Sequence, residues 1–88
     1  MAEKQFTVID KTGIHARPAT QLVSTANQFK SDIFILHKGK EVNFKSVLGV
    51  MSLGLGMGEE FTIRAEGEDA EKALEELENT LQKEGLAK

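Results

Sequence analysis

Apolar and polar residues alternate from Gln5 to Ile9, with Phe6 and Val8 on one face and Gln5, Thr7 and Ile9 on the other, which predicts a half-buried strand. Asp10-Lys11-Thr12-Gly13 is a turn. The period then changes to that of a helix, with Ala19, Leu22, Val23, Ala26 and Phe29 on one stripe and Arg17, Gln21, Ser24 and Asn27 on the polar side. This helix is expected from about Ala16 to about Gln28. Ser31-Asp32 breaks the pattern, and Ile33-Phe34-Ile35-Leu36-His37 is a continuous β-branched and aromatic run suited to a central strand. Lys38-Gly39 joins it to a second strand, Lys40 to Phe44, as a tight hairpin, although Lys-Gly is a weaker type I′ signal than Asn-Gly.

After Lys45, Ser46 is a favoured N-cap and Gly54 a favoured stop, so Val47 to Leu53 is expected to form a two-turn helix despite Gly49 inside it. Glu60 to Glu66 alternates, with Phe61, Ile63 and Ala65 inward and Thr62 and Arg64 outward. Asp69 is placed to cap a last helix whose stripe is Ala70, Ala73, Leu74, Leu77 and Leu81. Gly85-Leu86 fits a Schellman ending in which Leu86 packs back on Leu81.

The element order is therefore βαββαβα. Strands with one polar face need cover on the other face only, so all three helices belong on one side of a four-stranded antiparallel sheet, an open-faced α+β sandwich. Sequential βαβ elements leave a gap between parallel strands. The last strand fills it antiparallel to both neighbours, giving the order 1-4-2-3. Residues 1–88 are expected to form a single domain.

Composition narrows the function. With 40% hydrophobic and 28% charged residues the chain lies in the ordinary globular range. It has no cysteine, which excludes disulfide staples and thiolate metal sites. No signal-peptide pattern and no membrane-length apolar run is found, so a cytoplasmic protein is expected. A net charge of −3, with five Phe as the only aromatics, argues against a nucleic-acid binder. A small α+β RNA-binding module would need a basic sheet face, which Thr7, Thr62 and Arg64 do not supply.

The candidate chemistry centres on Gly13-Ile14-His15-Ala16-Arg17-Pro18-Ala19. Proline is tolerated in the first turn of a helix and disruptive further in, so Pro18 fixes the helix start within a residue or two of His15. There the unpaired first-turn N–H groups and the positive end of the macrodipole favour an anion. Imidazole titrates in general near about pH 6.5, so a neutral ring offers a nucleophilic lone pair. The Arg17 guanidinium carries a fork of donors that matches phosphate oxygens. No P-loop, carboxylate cluster, metal-ligand spacing or serine-histidine-acid set accompanies it. A histidine that accepts and hands on a group needs only geometry and access, which suits a carrier better than an enzyme; no cofactor and no metal is expected.

Ser46 is the second candidate: its position as an N-cap is reason enough for a serine, and a phosphoryl group there would sit near Lys45 and Lys40. A seven-residue helix cannot bury all of Val47, Leu48, Val50, Met51 and Leu53. Val47, Leu48 and Met51 are expected at the surface as an apolar docking patch. His37 is expected to be structural or exposed, and the charged face Glu71, Lys72, Glu75, Glu76 and Glu78 merely solvated.

These motifs resemble those of the HPr family, the histidine-containing phosphocarrier proteins of the phosphoenolpyruvate-dependent sugar phosphotransferase system, in the form found in low-GC Gram-positive bacteria. Gly13 to Ala19 is similar to the family's histidine motif without a mismatch. Gly39-Lys40, Lys45-Ser46-Val47-Leu48, Val50, Met51, Leu53 and Gly54 are similar to its serine motif. The resemblance spans essentially the whole chain. It implies that His15 is phosphorylated at Nδ1 by phosphorylated enzyme I and passes the group to sugar-specific enzyme IIA proteins, with Arg17 steadying the phosphate. It also implies phosphorylation of Ser46 by the ATP-dependent HPr kinase/phosphorylase, which slows transfer through His15 and promotes binding to the catabolite control repressor. Ala16, Thr20, Val47, Leu48, Met51 and Leu53 map onto the family's docking surface. A monomer is sufficient for all of this. A regulatory interaction protein working through Ser46 is the alternative class, and the two roles are compatible.

Overall fold

Four stretches of extended chain pair into one antiparallel sheet, and the segments between them wind into helices that cover one of its faces. The computed structural model describes residues 1–88. Its elements are β1 (Ala2–Thr7), α1 (Ala16–Ala26), β2 (Asp32–His37), β3 (Lys40–Asn43), α2 (Val47–Met51), β4 (Glu60–Glu66) and α3 (Ala70–Lys83). The strand order is β1-β4-β2-β3, as the pattern requires. Phe6 lies opposite Phe61 across β1 and β4, and Ile35 opposite Ile63 across β2 and β4. Period-two side chains thus bring Phe6, Ile33, Ile35, Phe61, Ile63 and Ala65 into the core, where they meet Leu22, Val50, Leu77 and Leu81 from the three helices.

The open face carries a small polar cluster. Arg64 lies over the Phe34 ring at 4.9 Å and its Nη2 donates to Glu41 at 2.8 Å. The Glu66 carboxylate is 2.9 Å from Nε, close enough to attract it but off the N–H axis. The hydrogen bond to Glu41, followed by the charges of Glu41 and Glu66, raises the Arg64 pKa against partial desolvation. Arg64 therefore adds no free positive charge to this face.

Boundaries differ from the sequence expectation where side chains or neighbours intervene. β1 starts at Ala2 rather than Gln5, because β4 offers a free ladder edge that recruits Ala2–Lys4 without any alternating signal of their own. α1 stops at Ala26 rather than Gln28. The Asn27 amide donates to the Val23 carbonyl at 2.9 Å, and the next turns tighten to Gln28 N–H→Thr25 and Phe29 N–H→Ala26. α2 is regular only to Met51; Leu53 and Gly54 close it with N–H bonds to Val50 and Met51, three residues back. The hairpin has positive φ at both Lys38 (49°) and Gly39 (81°), as a type I′ turn demands.

Asp69 stands at the N-cap of α3 but does not cap it with its side chain. Its carboxylate instead accepts from the Ser31 hydroxyl and from the Lys30 and Ser31 N–H groups at 2.9 and 3.0 Å, tying the α1–β2 turn to the start of α3. The Ser31 hydroxyl, then the Lys30 N–H, lower the Asp69 pKa from its ordinary value. His37 is buried, at 7% exposure. Its Nδ1 donates to the Glu60 carbonyl at 2.9 Å and its Nε2 faces the Glu59 carboxylate at 3.0 Å, a structural role that locks the hairpin to the start of β4.

The approach to α1 depends on Gly13, which has φ 71°. A Cβ there would lie 2.3 Å from the Leu55 carbonyl oxygen and 2.9 Å from the Gly56 Cα. The next residue, Ile14, is buried and its N–H donates to that same Leu55 carbonyl at 2.9 Å. His15 is left at the first exposed position after this anchor.

Two measurements follow. Gly13→Ala combines a left-handed φ with a backbone collision and is expected to cost roughly 2 kcal/mol or more in urea unfolding; unchanged stability would contradict the close approach. For Asp69, the folded pKa lies below the unfolded value of about 4, so its contribution is complete above pH 4 and is lost as pH falls through the folded pKa. Asp69→Asn is therefore expected to melt lower than the parent at pH 7, with the gap closing in acid below about pH 4. A gap independent of pH would show that the charge is not what Ser31 and Lys30 bind.

Candidate functional site

His15 occupies the N-cap of α1 with extended backbone, φ −95° and ψ −164°, and its side chain makes no capping bond. The ring is exposed. Ala19 N–H donates to the His15 carbonyl at 3.0 Å, which starts the helical ladder. Pro18, at the third helical position, is buried and has no N–H to offer. The first turn therefore presents two amides, those of Ala16 and Arg17, and neither has an acceptor within the chain. The expected set of first-turn donors is narrower than a helix start normally gives, because proline removes one.

Arg17 is exposed and its guanidinium makes no hydrogen bond or ion pair within the chain. With Asp10, His15, Pro18, Gln21, Glu84 and Leu86 it lines a shallow depression of about 180 Å³. An accessible imidazole and an unpaired guanidinium thus border one concave spot, at a helix start whose Ala16 and Arg17 amides are unclaimed. Unclaimed amides and a guanidinium of this kind are chemically suited to a tetrahedral dianion. Asp10 and Glu84 were not expected here. Asp10 lies in the predicted turn and Glu84 at the C-cap of α3, and only the tertiary fold brings them to the same depression as His15.

The apolar patch is in part as expected. Leu48 is 81% exposed and Met51 40%, while Val47 is half-buried. Ala16 and Thr20, on the first two turns of α1, are exposed, and the Thr20 hydroxyl donates to the Ala16 carbonyl at 2.8 Å. Leu53 does not belong with them. It is only 7% exposed and packs in the core with Val50, because the tightened turn after Met51 swings it inward.

Ser46 is the N-cap of α2, and its Oγ accepts from the Gly49 N–H at 3.1 Å. A Cβ at residue 49 would be 3.4 Å from the Asn43 carbonyl and from Ser46 Oγ, ordinary contact at the limit of closeness, so the small residue eases this cap. Lys45 does not point to Ser46. Its ammonium donates to the Phe29 carbonyl at 2.6 Å, in the turn that follows α1, so Lys45 is engaged rather than free to receive a charge.

The family described as the phosphorylation site of the HPr component of the phosphotransferase system matches residues 2–83. The chain is similar to the histidine-containing phosphocarrier protein of a Mycoplasma, with a TM-score of 0.94, 38% identity and 97% of each chain covered. It is also similar to the phosphocarrier protein HPr of Bacillus anthracis, with a TM-score of 0.84 and 49% identity over 90% of this chain and 94% of that one. Crh of Bacillus subtilis, a catabolite-repression protein described as a swapped, intertwined dimer, matches with a TM-score of 0.75 and 49% identity over 85% of this chain and 86% of that one. No helix is long and apolar enough to cross a membrane. The chain belongs to the HPr family, the phosphocarrier components of the phosphotransferase system.

Proposed function

We propose that the chain accepts a phosphoryl group on Nδ1 of His15 from phosphorylated enzyme I and delivers it to sugar-specific enzyme IIA proteins in the cytoplasm. The observation that carries this reading is the exposed imidazole at a helix start with two unclaimed amides and an unpaired guanidinium beside it. An exposed nitrogen lone pair is the nucleophile. The Ala16 and Arg17 amides and the Arg17 side chain receive the phosphoryl oxygens, while partners bring whatever acid, base or metal the transfer needs. Leu48, Met51, Val47, Ala16 and Thr20 form the apolar and small surface on which those partners dock.

A second role rests on Ser46. Its oxygen caps α2 next to the exposed Leu48 and Met51, so a phosphoryl group added there by an ATP-dependent HPr kinase/phosphorylase changes the charge of the docking surface without entering the core. That form resists enzyme I and binds the catabolite control repressor. The similarity to Crh supports a regulatory branch of this kind.

The two roles are separable. With enzyme I and phosphoenolpyruvate, intact mass is expected to rise by one acid-labile phosphoryl group in the parent and not at all in His15→Ala; uptake by the alanine variant would overturn the assignment. Arg17→Ala is expected to slow transfer by roughly 10- to 100-fold, the worth of a hydrogen bond to a charged group. Ser46→Asp is expected to slow acceptance from enzyme I while leaving the melting temperature within a few degrees of the parent. Acceptance at the parental rate would count against regulation by charge.

A further inference from the structure

The protein keeps sulfur out of its interior. Its hydrophobic core is built from Phe, Leu, Ile, Val and Ala alone, and all three methionines, Met1, Met51 and Met57, are exposed. With no cysteine in the chain, these thioethers are the groups that a mild two-electron oxidant attacks first. Met51 differs from the other two in its surroundings. It is the last residue of α2 and stands three positions after Leu48, so the two side chains share one face of that helix. With half-buried Val47 they make up the exposed apolar patch. The helix that carries this patch is fixed at both ends. Ser46 Oγ accepts from the Gly49 N–H at 3.1 Å at its start, and the Met51 carbonyl accepts from the Gly54 N–H at 3.2 Å at its finish. Met57, at 61% more exposed than Met51 at 40%, lies instead in the loop between α2 and β4.

We propose that Met51 is a peroxide-sensitive modification site, at which conversion of the thioether to the sulfoxide weakens docking of the protein that phosphorylates His15. The inference rests on the reading of His15 as the phosphoryl acceptor and of Val47, Leu48 and Met51 as part of the docking surface. In the step, a sulfur lone pair attacks one oxygen of hydrogen peroxide as the O–O bond breaks. An S–O bond forms, sulfur loses two electrons to the peroxide, and the second oxygen leaves as water with both peroxide protons. The apolar thioether becomes a polar, uncharged group. A partner fitted to an apolar patch then strips water from the new oxygen without offering it a donor, and binding loses what burial of an unpaired polar group costs. Because no methionine supports the core, oxidation spares the fold and falls on the patch. A methionine sulfoxide reductase reverses it, removing the oxygen as water while a dithiol becomes a disulfide. The sulfoxide thus acts on the same surface as a phosphoryl group on Ser46, through polarity and without charge.

The test treats the full-length protein with dilute hydrogen peroxide, quantifies the sulfoxide at each methionine by peptide mass, and measures phosphoryl transfer from enzyme I before and after. Complete conversion of Met51 is expected to raise the KM of enzyme I for this protein roughly tenfold with kcat nearly unchanged, the signature of lost uniform binding. In Met51→Leu the ratio of treated to untreated KM is expected to stay near one, whatever the untreated value. In Met57→Leu the tenfold rise is expected to persist. The treated parent is expected to melt within a few degrees of the untreated one, and a methionine sulfoxide reductase is expected to return KM to its starting value. The proposal is overturned if Met51 resists peroxide while Met57 is oxidised, if KM does not change once Met51 is converted, or if treated Met51→Leu shows an equal rise. It is overturned as well by a rise that comes with unfolding of the treated protein. Absence of any phosphate on His15 in the untreated parent overturns the carrier reading instead, and this inference with it.

Discussion

The architecture depends on how the chain passes from β1 into α1. Gly13 presses its backbone against Leu55 and Gly56, and Ile14 is buried one residue later with its N–H on the Leu55 carbonyl. Those two contacts clamp the loop before α1 to the loop before β4, two segments more than forty positions apart in sequence. With Gly13 and Ile14 committed to the interior and Pro18 buried on the helix side, the three residues between them have nowhere to go but outward. His15, Ala16 and Arg17 thus form an exposed bridge between two buried anchors. Its ring, amides and guanidinium are free because the protein spends its own acceptors elsewhere.

The rest of the fold holds those anchors still. Asp69 stitches the α1–β2 turn to α3, Lys45 holds that same turn through the Phe29 carbonyl, and the buried His37 ties the hairpin to β4. Each is a polar side chain bonded to backbone across a junction between elements, where a net gain of order 1 kcal/mol also fixes an angle. Hydrophobic patterning decides which elements form. These junctions decide where the elements point.

Patterning made much of this legible. Phe6, Ile35 and Ile63 report their faces through period two, Leu22, Leu77 and Leu81 through the helical period, and the antiparallel order follows from strands that need cover on one side only. What sequence could not show arises from contacts with no local signature. Ala2 to Lys4 become strand because β4 has an edge to fill, and Asp69 leaves its own helix for Ser31 because the turn is within reach. Leu53 leaves the docking surface because the helix tightens by one bond. The site divides the same way. His15, Arg17 and Pro18 announce themselves by adjacency, whereas Glu84 and Asp10 join them only through the tertiary fold, which no spacing rule anticipates.

A phosphoryl carrier must hold a dianion firmly enough to present it and loosely enough to lose it. Donors limited to the Ala16 and Arg17 amides and one unpaired guanidinium are consistent with such a compromise. The most direct test of the account is the amide NMR spectrum of the protein before and after phosphorylation of His15. The Ala16 and Arg17 N–H resonances are expected to move strongly downfield and to exchange more slowly as they donate to the phosphoryl oxygens. A spectrum in which those two amides stay put while the imidazole resonances alone respond would contradict the claim that the helix start receives the group.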